Sequence, residues 1–163
     1  RQIYGTLNRG MLKLQPQLKH CAEAVTGCMV QFWRESAKKF TSDMQPHYLY
    51  SPRELTRWKT ALHEAVRMVQ GMSESNLIRL CVHEALRIFV DRLVFAEERE
   101  WSEERIDAIV LQEFRCDREV LARPILFSCY LSPDRHYVTV EREALRSFVT
   151  SKLSLFYEEE MAV

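Results

Sequence analysis

Glycine is scarce in this sequence, and its scarcity excludes one common way of holding nucleotides. The 163 residues contain four glycines, and no two are close enough to form a loop whose backbone N–H groups cradle phosphates. They are Gly5, Gly10, Gly27 and Gly71. We therefore expect this chain to hold no phosphate with its own backbone.

Long apolar runs and an excess of charge are also missing. No apolar run approaches the ~20 residues that cross a bilayer, and the first residues do not have the pattern of a signal peptide. Lys plus Arg and Asp plus Glu each number 23, so the formal net charge is zero. Because an excess of positive charge dominates nucleic-acid binding, the sequence predicts neither a membrane protein nor a nucleic-acid-binding protein.

Cysteine pairs with metal-binding or redox spacing are absent as well. The count is odd, no Cys-x-x-Cys occurs, and four of the five lie in apolar stretches, which favours reduced core thiols in a cytosolic protein. The cysteines are Cys21, Cys28, Cys81, Cys116 and Cys129. Only Cys21 has a histidine beside it, His20, and neighbours on a helix do not face each other. We therefore expect no activated thiol.

Helical periodicity fills most of the chain. Apolar residues recur at three- and four-residue steps, and Pro, Gly and Ser interrupt them. Predicted helices cover 22–40, 52 to about 70, 75–95, a segment from Ser102 with Trp101 and Ile106 as a hydrophobic staple, and a last segment after Thr139. Residues 115–137 are irregular, with a short apolar run that is extended or buried coil. The sequence predicts an all-α helical bundle with an irregular segment before the last helix.

One helix start carries an unusual charge. In Ser51-Pro52-Arg53-Glu54 the serine is a predicted N-cap, the proline fits the first helical position, and the glutamate completes a capping box. Arg53 is then the second helical residue, where the helix dipole favours anions over cations. It either binds an anion or is an exposed side chain that pairs with Glu54 or Asp43.

Other candidate sites are weaker. Two His-Glu pairs invite comparison with zinc proteases, but that chemistry needs a second histidine four residues after the first. Arginine occupies both positions: Arg67 after His63-Glu64, and Arg87 after His83-Glu84. We expect no metal site and no catalytic residue, and interpret the two pairs as polar positions that meet across the bundle. The acidic clusters 97–98 and 158–160 are typical of solvated helix ends, so an independent hydrolase has little support.

Several blocks resemble a known family in order and with their spacing kept. They are Gln2-Ile3-Tyr4-Gly5-Thr6, Gln45-Pro46-His47-Tyr48-Leu49-Tyr50-Ser51-Pro52-Arg53-Glu54-Leu55-Thr56-Arg57-Trp58, His83-Glu84-Ala85-Leu86-Arg87, Asp91-Arg92-Leu93-Val94, Arg123-Pro124-Ile125-Leu126 and Phe156-Tyr157-Glu158-Glu159-Glu160. Together they resemble dynein heavy chains, cytoplasmic more than axonemal, at the C-terminal part of the third AAA+ module.

The resemblance implies a domain organisation and a role for Arg53. It implies a connecting segment from the large subdomain over 1–20, the helical small (lid) subdomain over 21–138, and a final helix over 139–163 that leads to the fourth module. Arg53 matches the sensor-2 residue, which contacts the phosphates of ATP or ADP bound with Mg in the parent module. The catalytic groups would lie in large subdomains outside this chain, so this piece would bind no cofactor alone.

The acidic end has a second implied role. Glu158, Glu159 and Glu160 resemble the surface on which cytoplasmic dyneins dock the lissencephaly-protein regulator, although the family often has Lys where this chain has Ser154. The resemblance further implies a cytoplasmic microtubule motor whose remaining modules are the partners of this lid. Since the chain starts without Met and stops on Met161-Ala162-Val163, we expect a piece of a longer protein. The alternative is a stand-alone helical adaptor whose acidic last helix binds a basic protein.

Overall fold

The computed structural model of the chain describes residues 1–69 and 71–161, with side chains up to residue 155. The chain divides into two compact units, residues 1–122 and 123–163. The first unit contains α1 (Gln2–Met11), α2 (Ala22–Lys39), α3 (Pro52–Met68), α4 (Glu74–Ala85) and α5 (Ala96–Phe114). No helix in the described ranges is long and apolar enough to cross a membrane. The predicted all-α class is confirmed.

Short non-α segments join the helices of the first unit. Two 3-10 turns, Leu12–Leu14 and Pro16–Cys21, connect α1 to α2, and a third, Arg118–Leu121, follows α5. Residues Leu86–Val90 continue α4 as a π-helical turn. Gln15 and Gln17 anchor the α1–α2 connection, because their side-chain amides donate to the carbonyls of Val66 and Met72 at 3.2 and 3.4 Å.

The core of the first unit forms around α2, which packs against α1, α3 and α5. Its predicted apolar stripe is confirmed: Val25, Cys28, Met29 and Phe32 are fully buried. An edge-on ring contact of 5.3 Å joins Phe32 to Phe89. Aromatic contacts of this kind add a favourable term to the free energy of burial. The aromatic cluster therefore joins α2 to the π-helical turn after α4.

Trp58 belongs to the same cluster and ties α3 to α4. Its ring lies 6.2 Å from that of Phe32 and 5.6 Å from that of Phe89, centroid to centroid. Its indole N–H donates to the carbonyl of Cys81 on α4 at 3.1 Å. A buried indole with its polar group paired contributes packing without an unsatisfied donor. Trp58 therefore joins α3 to α4 in the second turn of α3.

Two predicted helix starts have opposite outcomes. The capping box at Ser51 is confirmed, because its Oγ accepts the N–H of Arg53 at 3.2 Å and its own N–H donates to Glu54 at 2.8 Å. The start at Ser102 is wrong. α5 begins six residues earlier, at Ala96, where the carboxylate of Glu98 accepts the N–H of Phe95 at 3.2 Å.

The reason for this error is the double use of serine in helices. Ser102 is buried inside α5, and its hydroxyl donates to the carbonyl of Glu98 one turn earlier, at 2.8 Å. Serine favours helix starts, but inside a helix its hydroxyl can bond to the carbonyl one turn earlier. The acidic residues 97–98 do lie at a helix end, as interpreted, but it is the first turn of α5, where the helix dipole favours them.

The second unit contains a small hairpin and the last helix. Strands β1 (Phe127–Ser128) and β2 (Val138–Thr139) pair antiparallel, with Phe127 opposite Thr139. Of the two alternatives for the apolar run, extended or buried coil, β1 shows extended structure at its two residues. The last helix, α6 (Arg142–Met161), begins just after Thr139, as predicted. The predicted domain boundaries at residues 20 and 138 stay a prediction.

Candidate functional site

The start of α3 is fixed in place by its neighbours. The indole N–H of Trp33 donates to the carbonyls of Tyr50 and Ser51, at 3.2 and 3.1 Å. The ring of Tyr50 stacks on Phe89 with the planes 8° apart, and its hydroxyl donates to the carbonyl of Phe89 at 2.9 Å. Burial raises the pKa of that hydroxyl, so it stays a donor. The first turn of α3 is therefore attached rigidly to the π-helical turn.

Glu54 also belongs to this attachment, and both of its carboxylate oxygens have partners. The side chain is buried, and one carboxylate oxygen accepts from both the N–H and the hydroxyl of Ser51, at 2.8 and 3.0 Å. The other oxygen lies 3.7 Å from the guanidinium of Arg92. Arg92 also donates to the carbonyl of Leu49 at 3.1 Å and covers the ring of Tyr50. The nearest carboxylate in sequence is thus occupied by partners other than Arg53.

Arg53 and Arg57 are two exposed cations in the first two turns of α3. Neither guanidinium makes a hydrogen bond or ion pair with any other residue in the described part of the chain, so the expected pairing of Arg53 with Glu54 or Asp43 does not occur there. The two arginines stand one helical turn apart, where like charges repel. Arg53 also opposes the helix dipole. Both effects disfavour this arrangement until an anion joins it.

A cleft opens between α3 and the end of α4 beside these two side chains. Its volume is about 730 Å³, and four arginines line it against one carboxylate. The lining residues that carry charge are Arg53, Arg57, Arg87, Arg92 and Asp91. Both sides of the cleft belong to the first unit. The cleft is large enough for a phosphate-bearing ligand or an acidic side chain of another domain.

The remaining charged groups of the cleft are partly neutralised. Arg87 pairs with the buried carboxylate of Glu84 at 2.7 Å, one turn before it on the same helix. Burial raises the pKa of the Asp91 carboxyl, and His83 and Arg87 oppose that rise. Since Arg87 and Arg92 both have carboxylate partners, the charge available to a new anion comes from Arg53 and Arg57. The guanidinium fork of each suits bidentate contact with phosphate or carboxylate oxygens.

Arg57 is a site residue that the sequence interpretation did not single out. Its signal was present, because it follows Arg53 by four residues and lies on the same face of a well-specified helix. Each of the two His-Glu pairs has an ion pair within its own helix. Arg67 pairs with Glu64 at 3.0 Å, and Arg87 pairs with Glu84. Contact between the two pairs across the bundle stays a prediction.

The acidic cluster at the end of the chain lies on α6. Glu158, Glu159 and Glu160 fall within its last two turns, and their side chains lie outside the described residues. The docking role implied for them stays a prediction. Ser154, where the family often has Lys, donates to the carbonyl of Thr150 at 3.1 Å within the helix.

A second polar cluster joins the end of the 3-10 turn Pro16–Cys21 to the first residue of α4. The Nε2 atom of His20 lies 3.4 Å from the thiol sulfur of Cys21 and 3.1 Å from a carboxylate oxygen of Glu74. The expectation that His20 and Cys21 do not face each other is therefore wrong, because their backbone is a 3-10 turn rather than an α-helix.

The thiol in this cluster is nevertheless not activated. Burial, together with the charge of Glu74 and a hydrogen bond to it, raises the pKa of Cys21 to about 11. A thiol with so high a pKa is protonated at neutral pH and is a poor nucleophile. All five cysteines are free; Cys21, Cys28 and Cys81 are buried, and Cys116 and Cys129 are half-buried. The prediction of core positions holds for three of the five cysteines, and their redox state stays a prediction.

Comparison with known proteins assigns the class to which this helical unit and its arginine cleft belong. A family model described as the ATPase lid domain of dynein heavy chains matches residues 7–99, which include α2, α3, α4 and the cleft between them. The chain is therefore a helical ATPase lid, as its resemblance implied.

The relatives extend this match to the whole chain. It is 49% identical to the cytoplasmic dynein heavy chains of Dictyostelium discoideum and Drosophila melanogaster, over 99% and 100% of its length. It is 48% identical to that of Caenorhabditis elegans over 100%. The chain belongs to the dynein heavy chain family. It spans only 3 to 4% of the length of these relatives, whereas it is covered almost completely itself.

Proposed function

We propose that this chain is the nucleotide-sensing lid of the third AAA+ module in a cytoplasmic dynein heavy chain. In this proposal it catalyses nothing itself and relays the state of a bound nucleotide to the fourth module of a microtubule motor. The observation that carries the proposal is the pair of exposed, unpartnered guanidinium groups of Arg53 and Arg57 at the edge of an arginine-lined cleft.

An anion at this edge would relieve two unfavourable terms at once. It would offset the repulsion between the like charges of Arg53 and Arg57. It would also complement the positive end of the α3 dipole. Helix N-termini with adjacent arginines are suited to phosphate groups. The phosphates of ATP or ADP, held with Mg by the large subdomain, are the anion that the AAA+ context supplies. Of the two arginines, Arg53 is the proposed sensor and Arg57 assists it.

The relay follows from how α3 is attached. Arg92 links the loop before α3 to the π-helical turn, Tyr50 stacks on Phe89, and Trp58 bonds to α4. A force on Arg53 would therefore move α3 and α4 together rather than bend the first turn of α3. Packed helices with few loose joints transmit displacement as rigid bodies. The match over the whole chain to much longer relatives gives no support to the stand-alone adaptor.

The experiment is Arg53→Ala in the heavy chain that carries this lid. A charge-assisted hydrogen bond contributes about 1.5–3 kcal/mol, so nucleotide affinity at the third module should fall about tenfold or more. The lid should keep its melting temperature, because Arg53 has no described partner to lose. Nucleotide affinity would be measured by titration of a fluorescent ADP analogue into a motor whose other sites are blocked.

Arg67→Ala is the matched control. Arg67 is an exposed arginine on the same helix, outside the cleft, with a partner of its own in Glu64. This variant should leave nucleotide affinity unchanged. An Arg53→Ala motor with normal nucleotide affinity and a markedly less stable lid would show that Arg53 is structural, and the proposal would be rejected.

A further inference from the structure

The cluster of His20, Cys21 and Glu74 has the composition and spacing of a metal site. Its three donor atoms, an imidazole nitrogen, a thiol sulfur and a carboxylate oxygen, all lie within 4.8 Å of one another. No zinc-binding spacing marks these residues in the sequence, because Glu74 is more than fifty positions away from the other two. The fold brings them together by placing the 3-10 turn Pro16–Cys21 beside the start of α4.

The two distances from the imidazole nitrogen are close to the edges of a tetrahedral coordination sphere, although the one to Glu74 is slightly shorter. Metal–ligand bonds of about 2.0–2.3 Å in a zinc tetrahedron imply donor–donor edges of roughly 3.3–3.6 Å. The observed edges from the Nε2 atom are 3.4 Å to the sulfur of Cys21 and 3.1 Å to the oxygen of Glu74. A single nitrogen thus faces both other donors, and one N–H can serve only one of them. Without a metal, the thiol of Cys21 is also hydrogen-bonded to Glu74. A cation bound between the three atoms would replace these hydrogen bonds and release the thiol proton to solvent.

The backbone around the cluster is already held in position. Gln15 and Gln17, just before His20, bond to the carbonyls of Val66 and Met72. The first turn of α4 is capped by Ser73, whose Oγ accepts the N–H of Asn76 at 3.2 Å. The donors therefore converge without a metal, so ordering them on binding would cost little conformational entropy.

We propose that His20, Cys21 and Glu74 form a binding site for Zn²⁺ that links the 3-10 turn to α4. The mixture of sulfur, nitrogen and oxygen donors suits Zn²⁺ and excludes Mg²⁺ and Ca²⁺, which take oxygen ligands. Water would complete the tetrahedron, because His20 and Glu74 are partly exposed, at 64% and 44% of their side-chain surface. This site lies apart from the arginine cleft and does not depend on the proposed nucleotide sensing.

The test uses Co²⁺ as a spectroscopic probe on the 163-residue chain. One Co²⁺ should bind per chain with a cysteinate-to-metal absorption band, and Zn²⁺ should displace it. His20→Ala and Glu74→Gln should each lower the affinity at least about tenfold, the loss typical when a metal site is disturbed. Because both side chains are exposed, these variants should fold, which circular dichroism would check. Cys21→Ser should abolish the band.

The matched controls are Cys129→Ser and His136→Ala, which change the same residue types in the second unit. They should leave both the band and the affinity unchanged. Absence of a thiolate band on the wild-type chain would overturn the proposal. So would an affinity for Co²⁺ that His20→Ala and Glu74→Gln leave intact.

Discussion

The starts of α3 and α4 are both capped by serine, but their first turns carry opposite charges. Each begins at a serine whose Oγ accepts a backbone N–H at 3.2 Å, from Arg53 in α3 and from Asn76 in α4. The first turn of α4 holds Glu74, which agrees with the helix dipole and has His20 as a partner. The first turn of α3 holds Arg53, which opposes the dipole and lacks a partner in the described residues.

The difference shows two ways in which a helix start reveals a site. At α3 a residue conflicts with its local environment, and such conflicts concentrate at functional positions. At α4 no residue conflicts with anything, and only the distances between distant residues indicate a site. The sites inferred at the two starts have opposite preferences, for an anion at α3 and for a cation at α4.

The largest expected effect on the free energy of unfolding comes from removing the side chain that joins α3 to α4. Trp58→Ala takes away the ring that packs on Phe32 and Phe89 and bonds to Cys81 on α4. Loss of a buried tryptophan costs about 3–5 kcal/mol of unfolding free energy, to be measured by urea denaturation. Nucleotide coupling and Co²⁺ binding should then decline together.

Trp58→Phe separates packing from hydrogen bonding at the same position. It keeps an aromatic ring but leaves the carbonyl of Cys81 without its donor, so a smaller loss of about 1–3 kcal/mol is expected. If Trp58→Ala lost less than about 1 kcal/mol, the two helix starts would not share a core, and their comparison would rest on sequence alone.

The second prediction concerns the two caps. Ser51→Ala and Ser73→Ala each remove an N-cap hydroxyl, a change that costs about 0.5–2 kcal/mol. The larger loss is expected at Ser51, because its hydroxyl also donates to the buried carboxylate of Glu54. Parallel thermal melts of the two variants would compare them. Equal losses would mean that the capping box adds nothing to the single hydrogen bond at Ser73.

The sequence was sufficient wherever local chemistry decides the structure. The capping box at Ser51, the apolar stripe of α2 and the position of Arg53 were all predicted, because each depends on residues within two helical turns. The start of α5 was not, since Ser102 can cap a helix or bond inside one, and the choice depended on Glu98 four residues earlier.

Contacts between distant residues could not be predicted from local patterns. The cluster of His20, Cys21 and Glu74 depends on a 3-10 turn that changes which neighbours face each other, and on the packing of that turn against α4. The commitment of Glu54 to Ser51 and Arg92, which leaves Arg53 unpartnered, likewise required the fold. Arg57 was predictable in principle from its four-residue spacing.

The smallest expected effect tests the electrostatic contrast directly. Arg53→Glu should raise the unfolding free energy by about 0.3–1 kcal/mol, because it places an anion at the positive end of α3. Glu74→Arg should lower it by a similar amount in buffer with chelator, since it reverses a favourable charge at α4 and loses the contact with His20. Urea denaturation at low and high salt would measure both, and salt should shrink the difference.

The two substitutions should have different effects on function. Arg53→Glu would give a more stable lid that no longer responds to nucleotide, a gain in stability at the expense of activity that is common when a site residue opposes its surroundings. A lid that is destabilised by Arg53→Glu would mean that the arginine has a favourable interaction in the free chain. Its mismatch with the helix dipole would then not indicate a site, and the contrast between the two helix starts would fail.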